Sequence, residues 1–179
     1  MPFKVNVIEG DIAKVEADAL ITAINSGGMW FGGIDGVIMR LAGGAFHNQA
    51  TAAAPLSHGQ VVVAKGRPGL HTPFKNVIFV VDDLTGPLQE IIFKGLCAAS
   101  DAGFRRVTLP TIRMGVMLGV VEKSLDETIG QMKEAVHRLF RIFPIVDIEE
   151  ISFVVYDEPA VAERLRKEFA DINKFKESI

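Results

Sequence analysis

The strongest constraint on this chain is an alternation between two hydrophobic periods. Six short runs rich in apolar and β-branched residues lie at 3–8 (FKVNVI), 19–24 (ALITAI), 60–64 (QVVVA), 76–81 (NVIFVV), 106–110 (RVTLP) and 150–156 (EISFVVY). Each is bounded by Gly, Pro, Asp or Asn, the pattern of β-strands. Apolar residues recur at helical spacing over about 35–42, 44–53, 87–102, 121–142 and 159–172, which predicts amphipathic helices. In the fourth of these, Leu125, Ile129, Met132, Val136, Leu139 and Phe140 share one face and read as core. Ser124 and Glu127 have the spacing of a capping box. Strands that alternate with helices imply an α/β fold, a central sheet with helices on both faces. Several of the strands are near-continuously apolar, as expected where both sheet faces are covered. The Gly- and Pro-rich stretch AKGRPGLHTP (64–73) reads as a connection between two strands, and no linker or repeat divides residues 1–179, so one domain is expected. The closing NKFKESI reads as a frayed tail.

Composition narrows the function. A 179-residue chain that is 49% hydrophobic buries roughly 70% of its unfolded surface and needs no covalent staple. Its net charge of −3 and pI of about 5.8 lack the basic footprint of a nucleic-acid binder, whose domains sit above pI ~9. One cysteine, Cys97, excludes an intrachain disulfide and a cysteine-rich zinc site, and reads as a small buried packing residue. The four histidines (47, 58, 71 and 137) have no metal-ligand spacing. No metal and no cofactor are expected. The opening MPFKVNVIEGD has no signal-peptide core, and no window reaches the ~18 apolar residues of a membrane span. The expectation is a cytoplasmic protein with no membrane and no nucleic-acid partner.

In an open α/β sheet, ligands gather beyond the carboxyl ends of the strands, so four loops matter most. After the first strand comes Gly10-Asp11-Ile12. An aspartate there can accept from the exocyclic amine of a base, or it can serve as a turn residue or helix N-cap. NSGGMWFGGIDG (25–36) leaves a strand and enters a helix near Ile34–Asp35. Gly32 and Gly33 would present backbone N–H groups at a helix N-terminus, an anion site, while Asp35 is also an ordinary helix-start residue and Asn25 an ordinary strand-end amide. TIRMGVMLGV (111–120) holds Gly115, Gly119 and Arg113; the arginine can meet a phosphate or sit solvated in a flexible loop. Tyr156, past the last strand, can stack on a base or lie half-buried at an edge. Four such loops in an acidic chain point to one nucleotide-like ligand rather than a polymer. There is no P-loop, GxSxG elbow or HExxH motif.

At these residues the sequence resembles the macrodomain family, known for binding ADP-ribose. EGDIAKVEADALITAIN is similar to the family's opening strand, G-D-I and D-A-I-V-N-A-A-N strand. GGIDGVIMRLAGG resembles its G-G-V-D-G-A-I-H-R-A-A-G loop and helix, and FVVYDEP its last strand. The resemblance covers nearly the whole chain. It implies a three-layer α/β/α sandwich around a mixed, mostly parallel six-stranded sheet. It implies that Asp11 binds the adenine amine beside the Ile12 backbone and that Tyr156 stacks on the adenine. Gly32, Gly33 and Ile34 would hold the diphosphate and distal ribose, with Arg113, Met114, Gly115, Val116 and Met117 closing from the other side. Asn25 and Asp35, ten positions apart, match the asparagine and aspartate of the hydrolytic branch: Asn25 orients the distal ribose and Asp35 activates a water. The implied partner is ADP-ribose or an ADP-ribosylated protein. The implied activity is hydrolysis of ADP-ribosyl esters, or binding without turnover. Four features depart from the family pattern. Thr22 replaces the first asparagine of N-A-A-N. Trp30 and Phe31 replace two glycines. RMGVMLG stands at the loop commonly S-T-G-I-F-G, and IFVVDDL stands at the usual I-H-x-V-G-P.

Overall fold

The computed structural model describes residues 3–27, 33–142 and 146–177. Its six strands are β1 (Lys4–Glu9), β2 (Ala17–Ile24), β3 (Val61–Lys65), β4 (Phe74–Val81), β5 (Arg106–Pro110) and β6 (Glu150–Val155). They form one sheet in the order β1-β6-β5-β2-β4-β3. Every pairing is parallel except β3 with β4, so the sheet is mixed and mostly parallel, as the family resemblance implies. The 64–73 stretch does join two strands: it closes the antiparallel β3–β4 pair.

The helices are α1 (Gly33–Ala42), α2 (His47–Ala52), α3 (Leu88–Asp101), α4 (Leu125–Ile142) and α5 (Pro159–Glu177). Side chains alternate across each strand, and the sheet separates two apolar layers. Ile78 and Val80 of β4 pack with α3, α4 and α5 residues such as Leu96, Val136 and Leu165. Val77, Phe79 and Val81 of the same strand pack with Ile38 of α1 and with Phe46 and Ala50 on α2's side. Helices therefore cover both faces.

Three helix boundaries differ from the sequence reading by three residues or more. The helix expected over 44–53 is confined to His47–Ala52, because Gly43 ends α1 in the left-handed conformation (φ 55°), a common helix stop. The helix expected from 121 begins at Leu125: Ser124 Oγ accepts the Glu127 N–H at 3.1 Å, and Glu127 Oε2 accepts the Lys123 N–H at 2.8 Å. Glu122 is drawn away from the helix by ion pairing described below. α5 runs through the expected tail to Glu177; with Phe169 and Ile172 buried, each further residue adds a backbone bond to a helix already nucleated.

Cys97 is half-buried, more exposed than its sequence context suggests. Burial still pushes its thiol up to about 11, so it carries no thiolate chemistry at neutral pH.

Candidate functional site

The parallel strands end on one side of the sheet, and a cavity of about 610 Å³ opens there, within the range of small-ligand sites. Its wall draws on the loops that follow β1, β4, β5 and β6, on Thr22 and Ala23 near the end of β2, and on the first turns of α1. Four strand-end loops that are far apart in sequence thus become neighbours.

At one corner, Asp11 caps the short 3-10 turn Ile12–Lys14, its Oδ1 accepting the Ala13 N–H at 2.9 Å. It serves as a local cap and lines the cavity beside Ile12. Oδ2 has no hydrogen bond among the described residues. Tyr156 lines the same cavity and is 75% exposed, so its ring is available as a flat apolar surface.

Gly33, Ile34 and Asp35 form the first turn of α1 and line the cavity. Their N–H groups have no intrahelical acceptor and favour an anion. Gly32, Trp30 and Phe31 lie outside the described residues. On the facing wall, Met114, Gly115 and Met117 line the cavity. Gly115, Val116 and Met117 form a 3-10 turn, and the N–H groups of Gly115 and Met117 donate to no acceptor among the described residues. Gly115 holds φ 70°, a conformation for which glycine is suited.

Arg113 is neither a solvated loop residue nor a cation open to phosphate. Its side chain is 2% exposed. Nε and Nη2 donate to Asp82 Oδ2 and Oδ1 at 2.9 and 2.8 Å, and Nη1 donates to both Glu122 oxygens at 2.9 and 3.0 Å. Burial works against its charge, but Asp82 and then Glu122 outweigh that and hold the guanidinium protonated. The network extends into the backbone: Asp82 Oδ1 accepts the Leu84 N–H and Glu122 Oε1 accepts the Leu88 N–H at the start of α3. Arg113 itself sits at φ 63°, an uncommon conformation for a residue with a Cβ, held by four ion-paired hydrogen bonds. Arg113 and Asp82 line the cavity floor. The two segments that depart from the family pattern, IFVVDDL and RMGVMLG, are therefore joined through one buried ion cluster.

Asp35 is also buried, with its side chain 9% exposed, but has one side-chain partner among the described residues: His47 Nε2 at 3.3 Å from Oδ1. Asn25 lies one residue past β2, half-buried, and is not among the lining residues. Near it, Asp83 Oδ1 accepts the Ser26 N–H at 2.8 Å. That bond holds the Asp83 carboxyl below its ordinary range, against a smaller opposing effect of burial.

Several lining residues were not singled out in the sequence. Arg40 and Val37 could have been found by helical spacing, since they continue the Gly33 face of α1 at intervals of four and three. Asp82 carries no comparable local signal, nor does His47, which is not a lining residue but pairs with Asp35. Among the described residues, no group of three His, Cys, Asp or Glu side chains is placed to hold a metal ion, and no helix is long and apolar enough to cross a membrane.

The family model described as Macro domain matches residues 21–126. Mouse ADP-ribose glycohydrolase MACROD1 is 30% identical over 152 residues, covering 76% of this chain and 46% of that protein, so the chain spans about half its length. The O-acetyl-ADP-ribose deacetylase of Enterobacter cloacae is 28% identical over 169 residues, covering 87% of this chain and 88% of that protein. Among solved structures, a Trypanosoma brucei macrodomain in complex with ADP superposes with a TM-score of 0.73 at 19% identity, over 92% of this chain and 68% of that one, a likeness of fold.

Proposed function

The chain belongs to the Macro domain family, and from that premise we propose that it binds ADP-ribose and hydrolyses ADP-ribosyl esters. The adenine lies against Tyr156, with its exocyclic amine donating to Asp11 and Ile12 alongside. The diphosphate lies between the N–H groups of Gly33–Asp35 and those of Gly115–Met117. The distal ribose reaches Asp35, with Asn25 orienting it. The single observation that carries this reading is the cavity itself, whose wall holds Asp11, Asp35, Gly115 and Tyr156 together. The two hydrolytic relatives lend it support.

In the reaction, a water oxygen adds to the acyl carbon of the ester while Asp35 accepts the water's proton. The bond from the acyl carbon to the ribose oxygen breaks, and the proton passes to that oxygen. The products are ADP-ribose and a carboxylic acid, or a free acidic side chain where the substrate is a mono-ADP-ribosylated protein. A general base must lie within hydrogen-bond reach of its proton, and Asp35 is the acidic residue at the start of α1 in the cavity wall. We assign residues 1–179 to one macrodomain and the protein to the cytoplasm.

A non-catalytic reading, in which ADP-ribose binds without turnover, draws on the burial of Asp35 and its bond to His47. One experiment separates the two: calorimetric titration with ADP-ribose beside a single-turnover assay on O-acetyl-ADP-ribose and mono-ADP-ribosylated protein. Release of ADP-ribose from the ester, faster than from a nitrogen-linked adduct, is expected. Binding without release leaves the non-catalytic reading; no binding overturns both.

A further inference from the structure

We propose that His47 is a positioning residue for Asp35, donating from Nε2 to Oδ1 and leaving Oδ2 as the oxygen that takes the proton from water. The inference rests on the hydrolytic reading above and deepens it. An ionised carboxylate only accepts hydrogen bonds, so at 3.3 Å the Nε2 must carry the hydrogen. A carboxylate that is 9% exposed is costly to bury without a donor. One donor lowers that cost and commits one oxygen. Oδ2 makes no other hydrogen bond among the described residues, and Asp35 lines the cavity. The Arg113 cluster shows the contrasting case, in which every carboxylate oxygen is taken.

His47 is itself held in place. Its side chain is 5% exposed, and its ring lies 5.3 Å from that of Phe79, tilted by 38°. Phe79 is fully buried in β4, and Phe46 and Ala50, beside and within α2, are buried in the same apolar layer. The imidazole thus reaches Asp35 from a helix whose position the sheet fixes, across the Gly43–Gly44 turn. During hydrolysis Oδ2 gains the water proton and later yields it to the ribose oxygen, while His47 keeps its proton throughout.

The test uses the full chain with O-acetyl-ADP-ribose and the variants His47→Leu and His47→Gln. His47→Leu is expected to lower kcat about 10–100-fold, the loss typical of a misplaced catalytic group, with KM and ADP-ribose affinity within about twofold of wild type. His47→Gln, which keeps an N–H donor, is expected to recover most of the rate. In an Asp35→Asn background, His47→Leu should lower kcat no further. An unchanged kcat in His47→Leu, equal losses in the Leu and Gln variants, or a full additional loss in the double variant would each overturn the proposal. A readout free of turnover keeps it falsifiable if His47→Leu fails to fold. The ¹⁵N spectrum of histidine-labelled wild type should show His47 protonated at Nε2, with a signal that moves on Asp35→Asn. A proton on Nδ1 alone, or a signal indifferent to Asp35→Asn, overturns the pairing. If wild type binds ADP-ribose without turnover while the spectrum shows the pair, the hydrolytic reading fails and the His47–Asp35 geometry stands.

Discussion

Two buried acid clusters stand at the same end of the sheet and are used in opposite ways. Around Arg113, both carboxylates are held by the guanidinium and also accept backbone N–H groups, so no oxygen of Asp82 or Glu122 is without a donor. Around Asp35, one oxygen meets one imidazole nitrogen at a longer 3.3 Å. A saturated buried ion cluster has little capacity for a new partner, and removing a member leaves a charge uncompensated. An undersaturated carboxylate can still accept a proton. The first cluster ties the β4–α3 and β5–α4 connections together and sets the cavity floor. The second is where we propose that the chemistry occurs. Burial alone does not distinguish the two; the count of donors among the described residues does.

The largest test of this contrast is Asp35→Asn. Turnover of the ester should fall by roughly 10²–10⁴-fold, the contribution of a general base. Unfolding free energy should change by less than about 1.5 kcal/mol, since one modest hydrogen bond is at stake. A large stability loss with turnover intact would make Asp35 structural and erase the distinction. Arg113→Met should show the reverse. Denaturant unfolding should report about 3–5 kcal/mol of destabilisation, because Asp82 and Glu122 are left buried without their counter-charge. An unchanged midpoint would mean the cluster contributes nothing net.

Asp11 is intermediate, with one oxygen committed to Ala13 and one not. Asp11→Ala should weaken ADP-ribose binding by about 1–3 kcal/mol, as for loss of a charge-assisted bond. Calorimetry should also show that the inosine form of the ligand, which lacks the amine, gains nothing from Asp11. Equal affinity for the two forms in wild type would remove Asp11 from the adenine site. The smallest effect belongs to Asp83, next in the chain to Asp82 but only partly buried. Its carboxyl is held below the ordinary 3.8, chiefly by the Ser26 N–H. A group whose pKa is lowered on folding adds stability that is present above the unfolded value and lost as pH falls through the folded one. Unfolding measured across this acid window should lose less stability in Asp83→Asn than in wild type. A steeper acid loss in the variant would contradict the assignment.

Much of the fold was legible because its signals are local. Strand and helix periods, the Ser124 cap and the Asp11 cap each depend on residues within a few positions, and these recur in the structure. The family resemblance added which ligand those strand-end loops are expected to share. What stayed hidden is of one kind. Asp82, Arg113 and Glu122 are separated by 31 and 9 positions, and in isolation Arg113 reads as a loop cation.

The sequence by itself determined the alternation of strands and helices, the apolar face each one buries, and the glycines that free backbone N–H groups beyond the strand ends. Its acidic charge and single cysteine also narrowed the chemistry. Only the tertiary structure decided which charges meet. The sheet order sets β2 between β5 and β4, which brings the loop after β5 near the residue that follows β4 and turns Arg113 from a candidate phosphate ligand into the centre of an ion cluster. The Gly43–Gly44 turn sets α2 against Phe79 and carries His47 to Asp35. Periodicity and caps are properties of neighbours in the chain, whereas ion pairing depends on distance in space, and that distance exists only once the sheet has chosen its order.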